Sequence, residues 1–241
     1  MHPRCVIIFA VFYLFLCDME NTINGRTCRL FGSERPACLL VQPSARHETA
    51  TLEAEAAQIA ALSPSPFALT AFEVEDWIVD LMPWSDGNIS REAEAGRHGQ
   101  ETLQYVLLSL LPALRERYGD LPAVIGGYSL GGLFSLWAAA QTDSFRAVAA
   151  ASPSVWIRDW QAFSELHPTL AEAVYLSLGD REEQVRNQAI ARVGNGIRAQ
   201  YALLQQQLGP ERSTLVWEPG NHFTDNEGRL ARAFAWCIGR L

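Results

Sequence analysis

AVIGGYSLGGLFSLWAAA, residues 123–140, decides how this chain is read. Its first six residues are apolar or glycine and suit a buried strand, and from Leu130 the apolar residues run on as a helix. Between the two stands Ser129, framed as Gly127-Tyr128-Ser129-Leu130-Gly131, the pattern G-x-S-x-G. Glycine and serine are common enough that the pattern alone arises by chance in roughly one chain in ten of this size. Its position says more. A serine at a sharp strand-to-helix turn holds its hydroxyl above the sheet, the arrangement of a nucleophile elbow. Glycines at 127 and 131 permit the strained turn and a close approach of strand to helix. The first turn of a helix leaves backbone N–H groups unpaired. The Leu130 N–H is therefore the natural donor to an oxyanion formed beside Ser129. The plain alternative is a serine that merely caps the helix.

A serine hydroxyl needs a base. Around such an elbow the chain order is serine, acid, histidine. Of the five histidines, His2, His47 and His98 precede Ser129, and His167 lies before a proline ahead of the next strand. His222 remains, in EPGNHF just past the last predicted strand, and is expected as general base and then general acid. The acid should follow the strand AVYLSLG (173–179), where Asp180, Glu182 and Glu183 are all available. Sites of this kind often place the acid three residues past the strand-ending glycine, which selects Glu182. Asp180 would then cap the following turn and Glu183 would lie on a helix surface. Ser152 and Ser154 read as loop hydrogen-bonding residues.

Outward from this centre, strand-like and helix-like stretches alternate from residue 67 to the end: strands over 67–74, 123–128, 145–152, 173–179 and 213–219, with helices between and after them. That is the pattern of an α/β domain, a mainly parallel central sheet with helices on both faces. Ahead of it, RTCRLFG (26–32) and ACLLVQP (37–43) read as an antiparallel hairpin at one edge. Residues 98–119 predict an amphipathic helix closed by Gly119, and residues 75–97 a polar loop. Ligands of such sheets gather at the carboxyl ends of the strands, where Ser129, Glu182 and His222 all fall.

Composition narrows the chemistry. The net charge is −8, which argues against nucleic acid or anionic lipid as the main partner. All 19 basic residues are arginine, so a phosphate-loop lysine, a pyridoxal Schiff base and a Ser-Lys pair are excluded. Cys5, Cys17, Cys28, Cys38 and Cys237 show neither C-x-x-C nor metal-ligand spacing, and no dinucleotide fingerprint occurs. No cofactor and no metal are expected, and the odd cysteine count reads as a reduced, cytoplasmic chain. Residues 5–17 are apolar but short for a membrane span, and no small-x-small cleavage site follows them. We expect Met19 to be the start of a single domain, 19–241, with 1–18 an apolar extension. A signal or anchor is the alternative, and with it membrane association.

The segments INGRTCRLFG, EDWIVDLMPW, GGYSLGGLFSLWAAAQT, AAASPSVW, YLSLGDREEQVRN and WEPGNHF with DNEGRLARAFAW, in this order, resemble a bacterial esterase family of the α/β-hydrolase superfamily. That family includes S-formylglutathione hydrolase, enterobactin-type siderophore esterases and mycolyl transferases. The resemblance covers residues 22–241 and implies the α/β-hydrolase fold. It carries the nucleophile, acid and histidine onto Ser129, Glu182 and His222. SDGNISREAEAGRHG (85–99) departs from the more apolar loop of the relatives. The implied activity is hydrolysis of a small-molecule carboxylic ester through an acyl-enzyme, with an acyltransferase or a non-catalytic binding protein as alternatives. Trp77, Trp84 and Trp156 follow strand ends and are expected to line the substrate pocket. A second oxyanion donor is expected from Glu73 to Trp77.

Overall fold

The computed structural model describes residues 19–46, 48–63, 65–87, 89 and 96–241. The apolar stretch 5–17 and the centre of the 85–99 loop lie outside the described residues. Among those described, no helix is long and apolar enough to cross a membrane.

Eight strands form one sheet in the order β1-β2-β4-β3-β5-β6-β7-β8. They are β1 Met19–Ile23, β2 Arg26–Gly32, β3 Cys38–Ser44, β4 Phe67–Glu73, β5 Ala123–Tyr128, β6 Ala147–Ala151, β7 Ala173–Gly179 and β8 Ser213–Glu218. From β4 across to β8 every neighbouring pair is parallel, while β1–β2 and β2–β4 are antiparallel.

The expected pairing of 26–32 with 37–43 is overturned. β2 is hairpinned to β1 instead, through Asn24-Gly25 at φ 44° and 83°. Those left-handed values are what a two-residue turn matching the strand twist requires. β3 cannot sit at a hairpin edge, because all seven of its residues are buried. It lies between β4 and β5 and is paired on both sides.

The helices are α1 Thr49–Leu62, α2 Trp77–Leu81, α3 Gly99–Tyr105, α4 Leu111–Tyr118, α5 Leu130–Gln141, α6 Trp160–Leu166, α7 Gln188–Ala191, α8 Val193–Leu208 and α9 Asn226–Ile238. A π-helical turn, Val106–Leu110, joins α3 to α4, and the run stops at Gly119 with φ 93°. The 75–97 segment is not all loop. Asp76 Oδ1 accepts the Ile78 and Val79 N–H groups and starts α2.

The two faces of the sheet follow the period of two. Leu39, Val41, Ile125, Val148 and Leu176 pack under α3 to α6 and α8. Leu40, Leu69, Val124, Ala149 and Tyr175 pack under α1 and α9. β6 is the all-small strand AVAAA because α5 and α9 press on it from opposite faces. The sheet order reverses between β3 and β5, which opens a crevice at their carboxyl ends.

Candidate active site

Ser129 stands at that crevice with φ 57° and ψ −117°. A non-glycine residue in this region stores on the order of 1–3 kcal/mol of strain. The turn is held from both sides: Ser129 N donates to Ala151 O at 3.1 Å, and Ser129 O accepts Leu133 N at 3.0 Å and Ser154 N at 3.1 Å. Glycine at 127 is obligatory, since a Cβ there would lie 2.5 Å from the Gly131 carbonyl carbon. Although Ser129 precedes α5, its side chain makes no capping bond. The hydroxyl is directed elsewhere, 3.0 Å from His222 Nε2, with Ser154 Oγ at 3.3 Å.

His222 is carried by the loop between β8 and α9. Gly220, at φ 107°, makes the bend, and its N–H donates to Asp180 Oδ1 at 2.9 Å. Arg181 N donates back to Gly220 O at 3.1 Å. These bonds tie the loop after β8 to the loop after β7. Across that tie, His222 Nδ1 meets Glu182 Oε2 at 2.7 Å. Glu183 forms an exposed pair with Arg198 at 2.8 and 2.9 Å. Of the three adjacent acids, only Glu182 reaches the imidazole.

Glu182 is buried, and its other oxygen accepts three donors: Gly179 N at 2.7 Å, Ser152 Oγ at 2.7 Å and Arg229 Nη1 at 2.9 Å. Burial pushes the carboxyl upward, but hydrogen bonds from His222, Ser152 and the Gly179 N–H outweigh it and hold it below its ordinary value. It therefore stays ionised beside the imidazole at neutral pH.

Arg229 is the residue that reading the sequence missed. It is 0 % exposed and sits in the first turns of α9. Beyond Glu182, its guanidinium donates to Tyr128 Oη at 3.1 Å, Ser152 Oγ at 3.2 Å, and the carbonyls of Pro219 and Asn221, both at 3.1 Å. Tyr128 Oη in turn donates to the His222 carbonyl at 2.9 Å. One side chain thus binds the acid and the histidine loop together. The available signal was an arginine on the apolar face of α9, four residues before Ala233.

The expected pocket residues separate. Trp77 lines a cleft of about 430 Å³ together with Ser129, Tyr128 and His222. Trp84 is not part of that lining: it stacks on Trp160 and donates its indole N–H to Arg158 O at 3.0 Å. Trp156 lines a separate surface groove beside Arg158 and Arg192. The Leu130 N–H opens α5 next to Ser129. In the region expected to supply a second donor, the N–H groups of Val74, Glu75 and Asp76 are taken by Ser44 O and Asp80 Oδ2. β3, not β4, is the strand beside β5. Among the described residues no group of three His, Cys, Asp or Glu is placed to hold a metal ion.

Solved structures share this architecture. The siderophore hydrolase EstB from Aspergillus nidulans superposes with a TM-score of 0.66 at 17 % identity, covering 91 % of this chain and 93 % of its own. An IroE-like serine hydrolase from Shewanella oneidensis gives 0.66 at 12 %, covering 87 % and 74 %. The enterobactin esterase FES from Shigella flexneri gives 0.66 at 18 %, covering 94 % and 60 %. No curated protein matches the sequence. The sheet order, the elbow and these likenesses give the α/β-hydrolase fold. Residues 65–220 match the family described as "Putative esterase", and the chain belongs to that esterase family.

Proposed function

We propose that Ser129, His222 and Glu182 are the nucleophile, the general base and the orienting acid of a carboxylic ester hydrolase. The observation that carries this is the continuous path from Ser129 Oγ to His222 Nε2 at 3.0 Å and from His222 Nδ1 to Glu182 at 2.7 Å. His222 Nε2 takes the serine proton as Oγ bonds to the ester carbonyl carbon, and the carbonyl π pair moves onto oxygen. The Leu130 N–H donates to that oxyanion. Collapse of the tetrahedral adduct breaks the C–O bond to the alcohol, which leaves with the proton from His222. Water, deprotonated by His222, then attacks the acyl-serine, and the acid and free Ser129 are regenerated. Glu182 fixes the imidazole tautomer and stabilises its charged form throughout.

Ser129→Ala is expected to lower kcat/KM on small activated esters by about four to six orders of magnitude while the protein still folds. An unchanged rate refutes the assignment. A fluorophosphonate probe should label Ser129 in the native protein and not in His222→Ala. Strong labelling of that variant removes His222 as the base. The free, buried thiols of Cys28, Cys38 and Cys237 support a reducing, cytoplasmic setting for this activity.

A further inference from the structure

The cleft around Ser129 extends between α1 and α9 toward the end of β3, and that end carries a surplus of acceptors. Gln42 and Glu55 both line it and are each 3 % exposed. Gln42 Nε2 donates to Glu55 Oε2 at 3.3 Å. Among the described residues, the remaining oxygens Gln42 Oε1 and Glu55 Oε1 meet no donor, nor does Asn226 Oδ1 on the same wall. Glu48, from the start of α1, and Glu227, from α9, add two more carboxylates to the lining, and no arginine is among the described residues that line it. Buried acceptors are ordinarily matched by donors, so this set is built for a group that brings them. The cleft is also walled by Trp77, Leu52 and Leu230, with Phe223 beside His222, so the same ligand needs an apolar body.

We propose that this end of the cleft is a subsite for a protonated amine, and that the preferred substrates are esters bearing an ammonium group beyond an apolar spacer. The proposal rests on the Ser129-centred reading of the cleft and names its substrate class. Glutamine at 55 would satisfy Gln42 as well as glutamate does, without placing an ionisable group in a dry site. The cost of the carboxyl is visible in its titration: burial, reinforced by Glu48 and Glu227 and opposed by the Gln42 hydrogen bond, pushes it up to about 8. An ammonium group that draws off the Glu55 proton binds the ionised form. Its affinity should therefore rise with pH until the empty site itself ionises. The groups facing Glu55 are Gln42 from β3, Glu48 and Glu227; His222 lies along the same cleft.

Calorimetry with 3-phenylpropylammonium and its neutral counterpart 3-phenylpropan-1-ol tests this without any turnover. A failed subsite is thereby distinguished from a failed esterase assignment, which the Ser129→Ala rate measures separately. At pH 8 the ammonium probe should bind at least about tenfold more tightly than the alcohol, the effect of one charge-assisted hydrogen bond. The preference should shrink by about tenfold for each pH unit below 8. Glu55→Gln should abolish the pH dependence and most of the preference, and Glu227→Gln, on the half-buried wall, should reduce the preference severalfold. Equal or tighter binding of the alcohol at pH 8 overturns the proposal. So does a preference that survives Glu55→Gln with its pH dependence intact. If Glu55→Gln fails to fold, an unchanged preference in Glu227→Gln together with a flat pH profile in the native protein overturns it equally.

Discussion

Replacing Arg229 by methionine is the most searching perturbation of this site. The side chain is fully buried and donates to five acceptors, the charged Glu182 among them. Methionine fills much of the same volume, so the loss is electrostatic more than a cavity. Removing one partner of a buried ion pair strands the other, at a cost of roughly 3–5 kcal/mol. For a chain of this size each kcal/mol moves Tm by about 2–4 °C, so a fall of roughly 6–20 °C is expected by calorimetry or circular dichroism. Activity should fall further than stability explains. The carbonyls of Pro219 and Asn221 lose the contact that sets the His222 loop, and misplacing a catalytic group by about 1 Å costs on the order of a hundredfold. Losing the cation also raises the Glu182 carboxyl, so inactivation on the acid side should move to higher pH. Arg229→Lys keeps the charge but has three donors for five acceptors, and should recover only part of each loss. A change below 1 kcal/mol in Arg229→Met, with an unaltered pH profile, would show that this clamp neither stabilises nor positions anything.

Other outcomes follow from the same geometry. Glu182→Gln should reduce kcat by about three to four orders of magnitude, whereas Glu183→Gln, which breaks only an exposed pair with Arg198, should stay within about 1 kcal/mol of native stability and near native rate; parallel assays decide between the two neighbours. Gly127→Ala places a Cβ 2.5 Å from the Gly131 backbone and should cost about 1–3 kcal/mol, with slower fluorophosphonate labelling of Ser129. Glu55 also predicts a pH dependence of stability. Its carboxyl rises from 4.5 to about 8 on folding, so its contribution is complete below pH 4.5 and is lost as pH rises through 8. Glu55→Gln should therefore gain on the native protein by several kcal/mol across that window, measured as urea midpoints at pH 5 and pH 9. Parallel curves would refute the buried, neutral carboxyl.

The strands that read most clearly were those buried on both faces. AVIGGY and AVYLSLG carry no competing pattern, and each is followed by the turn residues where the site assembles. The edge was harder. RTCRLFG and ACLLVQP are adjacent in sequence and equally strand-like, but pairing them would have left β3 with an open side that its seven buried residues cannot tolerate. The Asn24-Gly25 turn pointed to the true partner. The tryptophans show the same limit. Trp77, Trp84 and Trp156 all follow strand ends, yet only Trp77 reaches the cleft beside Ser129, because the turns taken by the intervening loops are long-range outcomes.

Local sequence by itself pointed to the elbow, since glycines at 127 and 131 permit the tight turn that a serine at this strand–helix junction needs, and chain order narrowed the histidine to one. What only the tertiary structure decided was convergence. Spacing already selects Glu182 over Asp180 and Glu183; the structure adds that its side chain turns inward against Arg229, which is 47 residues away in sequence from the carboxylate it holds. The acceptor-rich end of the cleft arises in the same way, from Gln42 on β3, Glu55 on α1 and Glu227 on α9. Periodicity reports which face of an element is buried. It does not report which distant element that face will meet, and the charges that matter here are paired, or left to await a donor, across those meetings.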